Sequence, residues 1–238
     1  MRARCHRGTA ARRTDCARRP FPLPAQGRPF IAGATGSRPR ARAVARRVAV
    51  RGRPVNRGRG GDRARTVARM VTVRTMTVRT MTAADVTAVA EIRVAGWRAA
   101  YAGLLPASYL DRMSVEENAG RLRERLARPG GSGADLVAVD ARGTPAGWVC
   151  VGPAHRAGGE VHALYVRPSR IGTGVGRALL DAAHAHAHAH GLDPLALWVL
   201  AGNTRARRFY ERAGYTADGA VRTEDYDGVA VREVRYCR

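Results

Sequence analysis

The pattern of apolar positions changes period several times along the chain, and each change marks an element. Around 82–103, Val86, Val89, Ala90, Ile92 and Trp97 recur at helical spacing behind Thr82, a residue suited to cap a helix, and Gly103 stands where the helix should end. A second helical stretch is predicted over 106–127, bearing Tyr109, Leu110, Met113, Leu122 and Leu126, and stopped by Pro129-Gly130-Gly131. The period then shortens to that of strands, over 136–139, 148–151 and 161–166, the first two joined as a hairpin by the turn at 140–145. A helix over 176–190, a strand over 195–200, a helix over 204–213 and strands near 220–223 and 229–236 complete the series. Before them, the pentapeptide Thr-Val-Arg-Thr-Met occurs twice in tandem, at 72–76 and 77–81, and one copy suffices for a first strand. The predicted order is β-α-α-β-β-β-α-β-α-β-β. It describes an α/β (α+β) mixed sheet of six to seven strands flanked by about four helices.

No such period runs through residues 1–69. This segment is Arg, Ala, Gly and Pro with scattered Val, too poor in apolar surface to offset the entropy of ordering, and it is expected to be a disordered basic extension. It carries 20 arginines against Asp15 and Asp62, so most of the chain's formal charge of +23 belongs to it. The domain expected over 70–238 is much closer to neutral, and the high net charge is therefore no argument that the folded part binds nucleic acid. Binding of RNA is expected only through the basic arm, where Phe21 and Phe30 are the sole aromatic residues to stack on bases.

Composition removes several chemistries. The chain has no lysine, which excludes a Walker-type phosphate loop and imine chemistry with pyridoxal phosphate. Cys5, Cys16, Cys150 and Cys237 have neither the paired spacing of a zinc site nor the density of a disulfide scaffold, so a reducing, cytoplasmic setting is expected. No run is apolar over the roughly 18–20 residues that span a bilayer. Among 184–190, alternate histidines invite a metal reading through i,i+4 pairs, yet Leu179, Leu180, Ala183 and Ala187 claim the buried stripe of that helix, leaving the histidines to a solvated face, and no metal is expected.

The most informative segment runs from Val161 to Leu180, a strand that breaks into Ile171-Gly-Thr-Gly-Val-Gly-Arg177 and opens directly into a helix. Gly172, Gly174 and Gly176 allow successive backbone N–H groups to face an anion, and the helix N-terminus adds its dipole. A dinucleotide fold would require G-x-G-x-x-G, and neither Gly172 nor Gly174 has glycine at its sixth position. About thirty residues on, Asn203-Thr-Arg-Ala-Arg-Arg-Phe-Tyr-Glu-Arg-Ala-Gly-Tyr215 places Asn203 as a helix cap and Gly214 as the stop.

Together these two segments resemble the central motifs of the GNAT superfamily of acetyl-CoA-dependent N-acetyltransferases: a strand, Q/R-x-x-G-x-G/A and a helix, followed by N-x-x-A-x-x-F-Y-E-x-x-G-F/Y. The resemblance extends over about 77–238 and includes Trp97-Arg-Ala-Ala-Tyr-Ala-Gly-Leu-Leu-Pro106. One departure is that Ile171 falls on the usual Gln/Arg position, so a polar contact to the cofactor is lost, with Arg170 or Arg177 as candidate replacements. The resemblance implies acetyl-CoA as acyl donor and a small-molecule or peptide primary amine as acceptor. It implies a strand at 161–166 that splays from the one at 195–200, with Leu164, Tyr165 and Val166 pairing with the pantetheine arm and the Val166 N–H polarising the thioester carbonyl. The diphosphate would lie on the backbone of Ile171, Gly172, Thr173, Gly174, Val175, Gly176 and Arg177, with Asn203 nearby. Tyr210 matches the motif tyrosine that protonates the departing thiolate, and Glu160 is the candidate base. Trp97 and Tyr101 either line the acceptor pocket or pack as a core pair, and His162 is either a contact or a solvated side chain. A non-catalytic acyl-CoA-binding module and an RNA-binding protein acting through the arm are the rival readings. No membrane association is expected, and the protein is expected as a monomer or homodimer.

Overall fold

The computed structural model describes residues 46–47, 76–128, 131–155 and 157–238. The first copy of the tandem pentapeptide up to position 75, and nearly all of the basic extension, lie outside the described residues, and so does the expectation that the extension is disordered. The second copy forms a strand. An eight-stranded mixed sheet contains β1 (Arg46–Arg47), β2 (Thr77–Thr80), β3 (Ala134–Val139), β4 (Pro145–Pro153), β5 (Gly159–Val166), β6 (Leu195–Leu200), β7 (Thr216–Tyr226) and β8 (Val229–Cys237). Its spatial order is β1-β2-β3-β4-β5-β6-β8-β7. Every neighbouring pair is antiparallel except β5 and β6, which run parallel.

Two layers cover the sheet. Helix α4 (Val175–Ala189) and helix α5 (Thr204–Arg212) bury one face, where Leu179, Leu180 and Ala183 pack with Val149, Val161, Leu197 and Tyr236. Helix α1 (Val86–Tyr101) and helix α3 (Val115–Ala127) bury the other, with Val89, Ala90 and Leu122 against Val137 and Trp148. Alternation along β3 and β4 feeds both layers, which is why these central strands are apolar nearly throughout. The single helix expected over 106–127 is two: a short α2 (Ala107–Asp111) and α3, divided where the Ser114 hydroxyl accepts from the Glu117 N–H at 3.2 Å. Ser-x-x-Glu is an N-cap signature lying inside what looked like one period. Among the described residues the α-helices are thus five, counting the short one, where about four were expected.

Two close approaches position the functional region. Gly147 on β4 lies opposite Val166, and a Cβ there would stand 2.9 Å from the Tyr165 carbonyl, Leu179 and Val175, so only glycine lets α4 begin against this strand. Gly96 does the same for α1, where a Cβ would come within 3.1 Å of the Tyr165 ring.

The entry to α1 is held by charge. Arg79 forks onto Asp85 at 2.7 and 2.8 Å, and the Thr82 N–H donates to the same carboxylate at 2.8 Å. The Arg79 hydrogen bond is the main cause that holds the Asp85 carboxyl down at about 2. A carboxylate depressed in the folded state stabilises above its unfolded pKa of about 4 and loses that contribution as pH falls towards 2. Arg79 is partly solvated, which discounts the effect to about 1–2 kcal/mol. Asp85→Asn is therefore expected to cost about that much at pH 7 and to flatten the acid side of the stability curve between about pH 4 and 2, as measured by urea unfolding across pH.

Candidate active site

The site grows from one irregularity in the sheet. Strands β5 and β6 are paired only at Gly159 with Leu195 and Glu160 with Ala196, after which they part. From Val161 to Val166, β5 keeps its partner β4 but has no strand on its β6 side. The ladder with β4 also shifts between Cys150 and Val151, where His162 is the extra residue, a bulge that bends β5 at the root of the gap. The Arg167 N–H donates to the Ala146 carbonyl at 2.8 Å, so by the alternation of an antiparallel ladder the amides of Val166 and Leu164 point away from β4 and into the gap. These are unpaired backbone groups at a parted edge.

The chain leaves β5 through a short 3-10 turn, Pro168–Arg170, and reaches the glycine loop. Gly172 and Gly174 have φ of 81° and 88°, and Gly174 caps α4 in the left-handed conformation. No atom lies within 4 Å of where a Cβ would stand at either, so the space above the loop is open to a ligand. The Ile171 N–H donates to the Pro168 carbonyl at 3.3 Å and the Thr173 N–H to the Arg170 carbonyl at 3.4 Å, so both are already used within the turn. The amides left for an anion are those of Gly172, Gly174, Val175, Gly176 and Arg177, five donors at a helix N-terminus. The Ile171 side chain is exposed. Neither candidate replacement is waiting: Arg170 lies 3.6 Å from Asp140 and Arg177 binds Asp181 at 2.9 Å. The Arg177–Asp181 pair is exposed and the Arg170–Asp140 pair is long and partly solvated, so a phosphate can compete with both.

Helix α5 closes the far side. Asn203 caps it through Oδ1, which accepts from the Ala206 N–H at 3.1 Å. Phe209 and Val166 stand together at Gly176, each 3.5 Å from a Cβ built there, so the motif phenylalanine joins α5 to the start of α4. Tyr210 is 9% exposed. Its hydroxyl has no hydrogen-bond partner among the described residues, and burial, then the neighbouring Tyr165 and Tyr215 hydroxyls, hold its pKa well above the ordinary tyrosine range. A protonated hydroxyl without a partner is able to donate. Glu160 stands at the closed end of the gap, on the last paired residue of β5, with Oε1 3.3 Å from Nδ1 of His162. His162 is largely solvated, held by this one contact.

On the α1 side of the gap, Trp97 and Tyr101 meet edge to face with centroids 4.9 Å apart, and Tyr109 and Tyr226 complete an aromatic cluster over Leu200. The pair is thus both packed and at the edge of the site, since Tyr165 on β5 and Tyr101 lie close enough to perturb each other's hydroxyls. Glu233 on β8 faces Leu200 of β6, is buried, and is held by Arg222. Burial pushes the nearby Glu224 carboxyl up. Sequence reading missed Tyr226, Glu224 and Glu233, because β7 and β8 reach the gap only through pairing with β6, and nothing local in their sequence signals it. A cleft of about 330 Å³ lined by Leu104, Leu200, Gly202, Val231 and Arg232 opens beside Asn203.

The histidine run is used structurally. His184 meets the Tyr215 hydroxyl at 3.1 Å, His186 the Ser132 carbonyl at 2.8 Å, His188 the Asp193 carboxylate at 2.9 Å and His190 the His186 carbonyl at 2.8 Å. His184 and His186 are half-buried rather than solvated as expected, because α4 is flanked by Tyr215, just before β7, and by the 131–133 loop. Burial lowers the pKa of both.

Comparison with known proteins agrees with this geometry. Mycothiol acetyltransferase of Propionibacterium freudenreichii subsp. shermanii is 39% identical over 107 residues, covering 44% of this chain and 33% of that protein. The chain thus spans about a third of the length of that relative. The probable N-acetyltransferase Rv2775 of Mycobacterium tuberculosis is 31% identical over 157 residues, 62% of this chain and 84% of that protein. Among solved structures, the paia N-acetyltransferase of Thermoplasma acidophilum in complex with coenzyme A superposes with a TM-score of 0.51 at 21% identity, covering 67% of this chain and 97% of that one. The putative acetyltransferase yncA of Salmonella typhimurium, with acetyl-CoA, gives 0.52 at 22%, covering 68% and 92%. At such identities these structures speak for the fold. Residues 96–215, which contain the parted strand, the glycine loop and the capped helix, match the family model described as acetyltransferase (GNAT) family, and the chain belongs to that family.

Proposed function

We propose that the chain is an acyltransferase that moves an acetyl group from acetyl-CoA to a primary amine. The observation that carries this reading is the unpaired edge of β5 from Val161 to Val166 beside five unused amides at the start of α4. A pantetheine arm carries amide groups that pair with such an edge as an added strand would, and its diphosphate suits the amides of Gly172 to Arg177. Leu164, Tyr165 and Val166 would line the arm, and the Val166 N–H would hold the thioester oxygen as charge develops on it. The amine nitrogen attacks the carbonyl carbon, the C–S bond breaks, and the thiolate takes the Tyr210 proton. The ammonium proton passes to Glu160 through water. Most of the rate gain comes from holding two reactants in one gap. An amine acceptor also fits the name of one relative, the probable N-acetyltransferase Rv2775.

Titration calorimetry with CoA and acetyl-CoA, followed by thiol release over a panel of amines, tests the reading. Binding with amine-dependent release of free CoA is expected, and absence of any heat with CoA would sink it.

A further inference from the structure

Two buried side-chain polar atoms among the described residues lack a hydrogen-bond partner, Nε of Arg93 and Nε1 of Trp97. Both are donors, they lie one helical turn apart on α1, and both sit over the same residue. Gly96, between them, brings α1 to within 3.1 Å of the Tyr165 ring at a Cβ position, and Arg93 and Trp97 both act on the Tyr165 hydroxyl, although the Trp97 N–H forms no hydrogen bond there. Leaving a buried donor unpaired is costly, so two on one face, directly above the parted strand, need a reason.

The charge balance sharpens the point. Arg222 is held by Glu233 and Arg235 by Asp218, each at hydrogen-bonding distance, while Arg93 meets no carboxylate among the described residues and has only the Trp97 ring, 6.0 Å from its guanidinium carbon. A half-buried guanidinium without a counter-charge is suited to take an oxygen acceptor in a fork. Across the gap the sign is reversed. Arg222 lies near two carboxylates, Glu233 at 2.5 Å and Glu224 at 3.8 Å, which leaves one negative charge uncompensated beside Tyr226.

Resting on the acyltransferase reading above, we infer that Arg93 and Trp97 bind a carboxylate or carbonyl oxygen adjacent to the acceptor's amino group, so that the acceptor is an α-amino acid or a peptide-like amine rather than a simple alkylamine. The amino group then lies on the Glu224–Glu233 side, and the acceptor spans the gap with its polarity set by the two walls.

Tyrosine, tyrosinamide and tyramine, which share one side chain, test this by thiol release and by calorimetric titration into the CoA-loaded protein. The carboxylate or the amide compound is expected to exceed tyramine at least about tenfold in kcat/KM and in affinity, as one charge-assisted contact implies. Preference for tyrosine assigns a carboxylate and preference for tyrosinamide a carbonyl. Arg93→Gln is expected to collapse the preference to within about threefold while CoA affinity stays unchanged, and Arg93→Lys to restore part of it for the carboxylate alone. Removing an unpaired guanidinium breaks no ion pair, so the variant should melt no lower than the parent. Tyramine used as well as the other two, a preference that survives Arg93→Gln, or no binding by any of the three to the CoA complex overturns the inference. Failure of the parent protein to bind CoA would instead remove the reading on which it rests.

Discussion

Tyr210→Phe is expected to lower kcat by about a hundredfold, the usual contribution of a general acid, while leaving CoA affinity and thermal stability unchanged. The stability half follows from the hydroxyl's surroundings. The residue is buried, yet its hydroxyl forms no hydrogen bond with the described residues, so its removal strands no partner. The kinetic half follows from its pKa. Burial and the Tyr165 and Tyr215 hydroxyls keep the proton on Tyr210 well above the ordinary tyrosine range, so the acid is fully charged with its proton at neutral pH. Alkaline loss of activity in the parent should therefore not set in below about pH 10, the ordinary tyrosine value. Steady-state kinetics with thiol detection, beside calorimetry for CoA, separates the effects. An unchanged kcat would hand the leaving-group proton to solvent.

Gly174→Val is expected to weaken CoA binding by about 10²–10³-fold without unfolding the domain. At φ 88° a β-branched side chain is strained by roughly 1–3 kcal/mol, and the relief available is rotation of the peptide units that flank it. Rotation turns the amides of Gly174 and Val175 away from the diphosphate, each a charge-assisted hydrogen bond of about 1.5–3 kcal/mol. At 1.4 kcal/mol per tenfold, losing one such bond with part of the strain gives the stated range. The fold should survive, because the position is exposed and no atom stands within 4 Å of the new Cβ. Circular dichroism checks the fold and calorimetry the affinity. A dissociation constant within about threefold of the parent's would mean that the loop amides carry little of the binding.

Much of the fold was legible in the sequence because local patterns and tertiary needs agree there. The strand at Leu195–Leu200 and the strand-loop-helix from Gly159 to Ala189 combine apolar alternation, glycines at left-handed turns and a helix with one apolar stripe. The division between α2 and α3 was missed because the apolar period continues through Ser114, and a single cap outweighs it. Of the candidate site, the glycine loop could be read directly, while the splayed strand and Tyr210 were reached through the resemblance that two contiguous motifs carry. The Ile171 amide was assigned to the ligand because sequence cannot tell which amides a turn consumes internally, and the Pro168 carbonyl takes it.

The sequence by itself determined the glycine loop and, apart from the division between α2 and α3, the order of the elements from 77 onwards, since these depend on backbone preferences and on spacing within a few residues. The tertiary structure alone decided which residues gather at the proposed acceptor side. Arg93 and Trp97 on α1, Tyr165 on β5, Tyr226 on β7 and Glu233 on β8 are far apart along the chain, and they meet because β8 inserts between β6 and β7 while Gly96 lets α1 settle on β5. Whether a charge finds its partner is settled by that packing, which left Asp85 and Glu233 paired and the buried Nε of Arg93 without a hydrogen-bond partner among the described residues.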